Sequence, residues 1–486
     1  MSHALPESLP AAGAGRRAAW GLAGLALSML LSSLGTSSAN VGLPTLARAL
    51  DAPFSQVQWV VLAYLLAITS CVVGAGRLGD MAGRRRLLLA GIAVFTLASA
   101  ACGLAATLGQ LVAARVAQGM GAAVMMALTM AFVGDLLPKD RAGSAMGLLG
   151  TMSAVGTALG PTLGGALIAG PGWRAIFLVN LPLGLAAMGL AYRHLPADRP
   201  RGGPPTRFDL RGTLLLAAVL AAYALAMTLG RGRFGVLNAA LLLGALAGGG
   251  LFLWVEARTP APLLRPALLR GPGLRAGLAA NALVSTVMMA TLVVGPFYLT
   301  QALGLGAAAA GLVMSAGPVV SALCGVPAGR LVDRLFVGRG GRAGRAAVAG
   351  GAALLAAAPA AFGAAGYIVP IALLTAGYAS FQAANNTAVM ASIGAEQRGL
   401  VAGMLNLSRN LGLVTGASVM GAVFALGAGA ADLAAAPAAA VGRGIAVGVR
   451  VAGLAVAGAW VPARLGRGSF NVWGVGNADC ERCEGL

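Results

Sequence analysis

The sequence predicts an all-α protein, a polytopic bundle of membrane helices built from two duplicated halves. Three observations carry this. Of 486 residues, 58% are hydrophobic and only 10% are charged, where soluble domains carry about a quarter charged residues. Mean hydropathy is +0.84, and long apolar runs alternate with short turns rich in Arg, Gly and Pro. A charged stretch, Gly76-Arg77-Leu78-Gly79-Asp80-Met81-Ala82-Gly83-Arg84-Arg85-Arg86, returns in part as Gly329-Arg330-Leu331-Val332-Asp333-Arg334, 253 positions later.

The elements follow from a length rule. At 1.5 Å per residue, about 20 apolar residues cross about 30 Å of hydrocarbon. Spans are predicted near 18–43, 57–76, 87–106, 111–134, 143–168, 173–192, 212–229, 235–255, 275–301, 308–329, 346–365, 368–392, 399–427 and 441–461. The last is interrupted by Arg443 and Arg450. The first run is too long for a signal peptide and reads as a span. With a cytoplasmic N-terminus, 26 of the 34 Lys and Arg residues fall in inside segments and 6 in outside ones. This bias places both termini inside. A further repeat, Lys139 to Ala145 against Glu396 to Ala402, supports two halves arranged as in secondary transporters.

Several classes are excluded. The net charge of +20 is spread over short turns rather than gathered on a soluble domain, so no nucleic-acid partner is expected. No P-loop string appears, which argues against an ATP-driven pump. Cys480 and Cys483 make a lone C-x-x-C, a weak metal signal; no metal, cofactor or catalytic residue is expected. The spans hold no His pair, carboxylate pair or activated nucleophile, which disfavours a membrane enzyme.

The polar residues within spans carry the chemistry. Arg115 and Gln118 share a helical face. Two readings stand for Arg115: a buried cation tuning a proton or substrate site, or an arginine snorkelling to the interface. Arg409 has the same ambiguity. Gly156, Gly160, Pro161 and Gly164 lie in Gly156-Thr-Ala-Leu-Gly160-Pro161-Thr-Leu-Gly164-Gly165, where small residues allow close helix approach and proline bends the helix. No Asp or Glu falls near the middle of a span; Asp80, Asp135, Glu256 and Asp333 lie near span ends. Asn40, Tyr64, Met126, Asn281, Gln382, Asn385 and Asn386 are candidate cargo contacts, the amides because three clustered ones in lipid need partners, the methionine because it adapts to varied ligands. For Tyr64 and Met126 ordinary packing is the competing reading.

These strings resemble the major facilitator superfamily. The stretch from Gly76 resembles its motif between spans two and three, Arg115 with Gln118-Gly119 matches its span-four R-x-x-Q-G, and Gly156 to Gly165 matches its span-five antiporter string. Fourteen spans with Gln58-Trp59-Val-Val-Leu-Ala-Tyr64 point to the 14-span drug:proton antiporter branch. The resemblance implies two six-helix halves (18–192 and 275–461), two extra central helices with linkers (193–274), and cytoplasmic ends at 1–17 and 462–486. It implies efflux of small amphipathic compounds from a monomer in the cell membrane, in exchange for protons. Gly76, Arg77, Asp80, Gly83, Arg84, Arg85 and Asp333 would form a conformational switch, while Arg115, Gln118 and Asp135 would serve coupling. The branch opens its first span with L-D-x-T; here Leu34-Gly35-Thr36 puts Gly35 at the Asp position, which places a simple span-one proton carrier in doubt. An exporter of a neutral or anionic metabolite fits the missing carboxylates equally well.

Overall fold

The structure, a computed structural model, describes residues 12–136, 139–198, 209–229, 235–259, 269, 271–335, 337–357, 359–391 and 398–428, with Ala440, Gly444 and Val447. The side chains of Arg77, Asp80, Asp135 and Asp333 lie outside what is described, as does most of the expected fourteenth span and the Cys480/Cys483 tail.

The described residues are mostly helical, joined by short turns, with no strand among them. The first half comprises α1 (Ala12–Ala49), short α2 (Phe54–Val57), α3 (Trp59–Ala82), α4 (Arg84–Leu104), α5 (Leu108–Leu136), α6 (Lys139–Ala169), short α7 (Ala175–Leu178) and α8 (Asn180–His194). A hairpin follows, α9 (Leu210–Thr228) and α10 (Val236–Arg258). The second half comprises α11 (Pro272–Phe297), extended by a π-turn at Tyr298–Ala302, then α12 (Ala307–Leu335), α13 (Val337–Ala357), α14 (Pro359–Ala391) and α15 (Arg398–Ala428). Ten helices or helix runs among the described residues are long and apolar enough to cross a membrane.

Two boundaries differ from expectation. The charged stretch read as a turn between spans two and three is almost wholly helical: α3 runs to Ala82 and α4 begins at Arg84. Only Gly83 breaks the run, at φ +95°, a conformation that glycine adopts without a Cβ penalty. The eleventh span, expected at 346–365, straddles a junction. There α13 starts nine residues earlier and ends at Ala357, and Pro359 opens α14. Apolarity placed the span too late because Arg339, Arg342 and Arg345 lie within the helix, and proline suits a helix start.

The duplication is written in the packing. In the first half Gly156 of α6 lies so close to α1 that a Cβ there would stand 2.5 Å from the Leu30 carbonyl, and Gly160 presses on Ser37. In the second half Gly412 and Gly416 of α15 press in the same way on Ala282 and Thr286 of α11. A second pair of contacts repeats too: Gly91 against Gly121 between α4 and α5, Gly344 against Gly377 between α13 and α14. With no hydrophobic drive between helices in lipid, such close van der Waals contact is what holds them.

The hairpin bridges the halves. On α9, Thr228 accepts from Trp59 Nε1 of α3 at 3.2 Å, and the Tyr223 hydroxyl donates to Thr415 of α15 at 3.1 Å. Asn238 ties its two helices together, its Nδ2 donating to the Ala226 and Leu229 carbonyls at 2.7 and 2.6 Å. By contrast α10 exposes Val236, Leu237, Leu243 and Leu246, consistent with a lipid-facing helix.

Candidate functional site

The helix ends define two rims. The starts of α1 and α4 and the end of α8 form a rim rich in arginine; the starts of α3 and α12 and the ends of α1 and α6 form one with few charges. Four features sit between or on them.

The first is a nest around Arg115. Its side chain is fully enclosed, so it does not snorkel. Nε donates to the Val60 carbonyl at 2.7 Å, and Nη1 donates to the Gly35 carbonyl at 3.0 Å and to Gln118 Oε1. Gln118 Nε2 then donates to Ser99 Oγ at 2.7 Å. The guanidinium lies 4.0 Å from the centre of the Tyr64 ring, a cation–π contact, and the Tyr64 hydroxyl donates to the Ser32 carbonyl at 2.8 Å. Gly119 completes the motif: a Cβ there would stand 2.6 Å from the Tyr64 carbonyl, so only glycine lets α5 lie this close to α3. Tyr64 was expected to contact cargo, but its enclosed ring and bonded hydroxyl leave it no surface for cargo in this conformation. Asn40 is likewise fully enclosed, with Nδ2 donating to the Thr36 carbonyl at 3.2 Å and Oδ1 unpartnered. Met126 is half-buried in the core of the first half.

The second feature is at the arginine-rich rim. Asp198, just beyond α8, caps α4: its Oδ1 accepts from the Arg85 backbone N–H at 2.8 Å and its Oδ2 from that of Arg86 at 3.2 Å. The Arg85 guanidinium bonds the Tyr192 carbonyl and lies 5.2 Å from that ring's centre. Arg84 Nη1 reaches the Ala131 carbonyl of α5 at 3.4 Å. Sequence reasoning singled out Asp80 at this rim and missed Asp198; the signal available was a lone Asp in a Pro-bounded segment after a span, Pro196-Ala197-Asp198-Arg199-Pro200. Replacing Asp198 with alanine removes a cap on a long helix. We expect a loss of about 1 kcal/mol in stability, read as a lower unfolding midpoint in detergent, with Asp198→Asn in between.

The third feature is a seam between halves at the sparsely charged rim. Gly165 of α6 packs on α12 so tightly that a Cβ would meet the Ala307 carbonyl at 2.6 Å and Gly311 Cα at 3.1 Å. Gly311 presses equally on the Pro161 carbonyl. Thr162 and Ser315 share a hydrogen bond across the seam. Nearby, the Phe54 and Phe297 rings meet edge to face at 4.9 Å. Gly164 faces α1, close to Val41 and Ser38.

The fourth is a polar group in the second half. Asn281 Nδ2 donates to the Leu405 carbonyl at 2.9 Å, while its Oδ1 is buried without a partner. Ser285 Oγ, Asn385 Nδ2, Gln382 Oε1 and Arg409 Nε are also buried without partners. Gln382 Nε2 donates to the Tyr378 hydroxyl at 2.8 Å. Asn386 is exposed. The structure thus brings Asn281, Asn385 and Arg409 onto neighbouring helices and leaves Asn40 and Tyr64 in the other half.

Comparison with known proteins fits this architecture. The description of the Major Facilitator Superfamily matches residues 25–417. The chain is similar to the uncharacterized transporter YebQ of Escherichia coli K12, with 33% identity over 82% of this chain and 87% of the relative. It is similar to the multidrug resistance protein Stp of Mycobacterium tuberculosis, with 32% identity over 79% and 72%. The riboflavin transporter RibZ of Clostridioides difficile is 29% identical over 82% and 87%. Among solved structures, a bacterial homologue of the human lysosomal transporter Spinster, inward-facing and unoccupied, superposes with a TM-score of 0.67 at 15% identity, over 92% of this chain and 97% of that one. With two packed, duplicated helical halves, a seam between them and a matching family description, the chain belongs to the major facilitator superfamily and is a multi-pass membrane transporter rather than an enzyme.

Proposed function

We propose that the protein exports small drug-like or amphipathic organic molecules across the cell membrane by alternating access, in exchange for protons. The observation that carries this reading is the seam: two duplicated halves meet through glycines at the sparsely charged rim, the arrangement expected of one closed end of a rocking pair. The resistance function in the name of the relative Stp supports an outward direction. The arginine-rich rim and both termini face the cytoplasm in this reading, following the bias of basic residues, and the monomer is the working unit. Gly76, Arg77, Asp80, Gly83, Arg84, Arg85 and Asp333 act as the switch at that rim. Arg115, Gln118 and Asp135 serve coupling, the glycines and Pro161 of α6 serve the seam, and cargo meets the polar residues between the halves. A metabolite cargo is a second reading, favoured by the similarity to a riboflavin transporter.

Proteoliposomes holding the purified chain test the coupling. An inward-directed proton gradient should drive uphill movement of cargo, and collapsing it with a protonophore should reduce movement to equilibration. Unchanged uphill export of every cargo without the gradient would reject proton exchange.

A further inference from the structure

We infer that Arg409, with Asn385, Ser285 and Asn281, forms a recognition site for an acidic cargo, one whose carboxylate or equivalent oxyanion meets the guanidinium. This rests on the exporter reading and narrows its substrate class.

None of α11, α14 or α15 contains an Asp or Glu, so no carboxylate on these helices neutralises Arg409. Its Nε is buried with no hydrogen-bond partner. A guanidinium inside a membrane protein is costly unless something answers it. Arg115, the other arginine within a span, places Nε and Nη1 on two carbonyls and Gln118, beside an aromatic ring, with Nη2 alone left buried without a partner. Half-buried Arg409 makes no such set of contacts among the described residues.

The surroundings of Arg409 are equally unfinished. It sits on the turn of α15 between Leu405 and Gly412, four and three residues away and on the same helical face. The Leu405 carbonyl accepts from Asn281, and a Cβ on Gly412 would stand 2.7 Å from that of Ser285. Both contacts are to α11, so Arg409 lies on the flank that α15 turns to α11. From the other side Asn385 of α14 reaches α11, its Oδ1 3.2 Å from where a Gly277 Cβ would stand. At 1.5 Å per residue, Arg409 lies about 16 Å along α15, Asn281 about 14 Å along α11 and Asn385 about 9 Å from the end of α14, all measured from the arginine-rich rim. The depths match.

Three of these residues are at least nine-tenths buried: Ser285 is 0% exposed, Asn281 1% and Asn385 9%. Each nevertheless has a polar atom with no partner. Buried polar groups are normally satisfied, and several orphans in one place call for a ligand. Their chemistry is specific. The guanidinium, Asn385 Nδ2 and the Ser285 hydroxyl are donors for an oxyanion, and Asn281 Oδ1 accepts from a hydroxyl or N–H elsewhere on the same molecule. Arginine presents a planar fork matched to a carboxylate.

The test uses the full chain and three probes: nalidixic acid, its primary amide, and the cation ethidium. In proteoliposomes the wild type should move the acid in preference to the amide. Arg409→Gln should weaken the acid's apparent affinity by about ten- to a hundredfold, the scale of one hydrogen bond to a charged group, while the amide is moved as before. Arg409→Lys should recover part of the preference. Amide transport by Arg409→Gln also certifies its fold. Loss of amide transport together with the acid would make Arg409 structural and overturn the inference. Preference for ethidium, untouched by Arg409→Gln, would overturn it while leaving export intact. Absence of nalidixate binding to the detergent-purified wild type would overturn it whatever transport shows.

Discussion

Valine in place of Gly165 will lower transport at least tenfold while leaving the two halves folded. The seam admits no side chain here: a Cβ would stand 2.6 Å from the Ala307 carbonyl and 3.1 Å from Gly311 Cα. Both neighbours are backbone, so no rotamer can relieve the clash, and α6 and α12 must separate. Overpacking of this kind costs about 1–3 kcal/mol. Applied to an equilibrium between two arrangements, that shifts populations by about 5- to 150-fold, against the state seen here. The intrahalf contacts at Gly156, Gly160, Gly412 and Gly416 are untouched, so the fold persists. Gly311→Val should act alike, since Gly311 meets the Pro161 carbonyl from the opposite side. Two readouts check this. Cargo movement should fall by at least tenfold. A cysteine at Ser315, in a background without the native cysteines, should become more reactive to an impermeant maleimide added from outside. Wild-type transport by Gly165→Val would show that this contact does not have to close in the cycle.

How much of this was legible in the sequence depends on distance along the chain. The glycines of α6 stood out as a string, and the i, i+3 spacing of Arg115 and Gln118 correctly put them together. The repeat from Gly76 to Asp333 announced two halves. Partners remote in sequence were not legible. Asp198 reaches Arg85 from 113 positions away, and nothing in a lone aspartate near a proline states which helix start it will cap. The acceptors of Arg115 are the carbonyls of Gly35 and Val60, and every residue has a carbonyl, so sequence carries no mark of the two that are chosen. Helix rotation was hidden for a related reason. These helices are apolar nearly all round, and without a polar stripe the pattern does not say which face meets a neighbour. Tyr64 was therefore read as a candidate cargo contact although it turns inward to Arg115, and Arg115 and Arg409 were given the same ambiguity although their surroundings differ.

Arg115→Ala will be the most damaging single truncation in the first half. The guanidinium joins three helices: α5 holds it, α3 offers the Val60 carbonyl and the Tyr64 ring, and α1 offers the Gly35 carbonyl. Alanine removes a charged donor from each carbonyl and from Gln118, at about 1.5–3 kcal/mol per bond to a charged group. No water from bulk reaches the enclosed site to replace it. The position of the Gly35 contact matters most. Where the resembled branch has a span-one Asp, this chain has a glycine whose carbonyl takes the cation, and a Cβ there would stand 3.1 Å from the Tyr64 hydroxyl and 3.3 Å from the Phe95 ring. The nest is thus closed around backbone rather than around a titrating acid, and its contribution is to register α1, α3 and α5 against one another. Lysine cannot reproduce this, because a single ammonium lacks the fork that reaches two carbonyls at once. Arg115→Ala should lower gradient-driven transport by more than about a hundredfold, the equivalent of two such bonds, and lower the unfolding midpoint in detergent. Arg115→Lys should keep the midpoint nearer to wild type and retain cargo exchange without a gradient, yet lose most uphill movement. Separating exchange from uphill movement is decisive: equal loss of both in Arg115→Lys would make the residue purely architectural, whereas selective loss of uphill movement ties the register of these three helices to coupling.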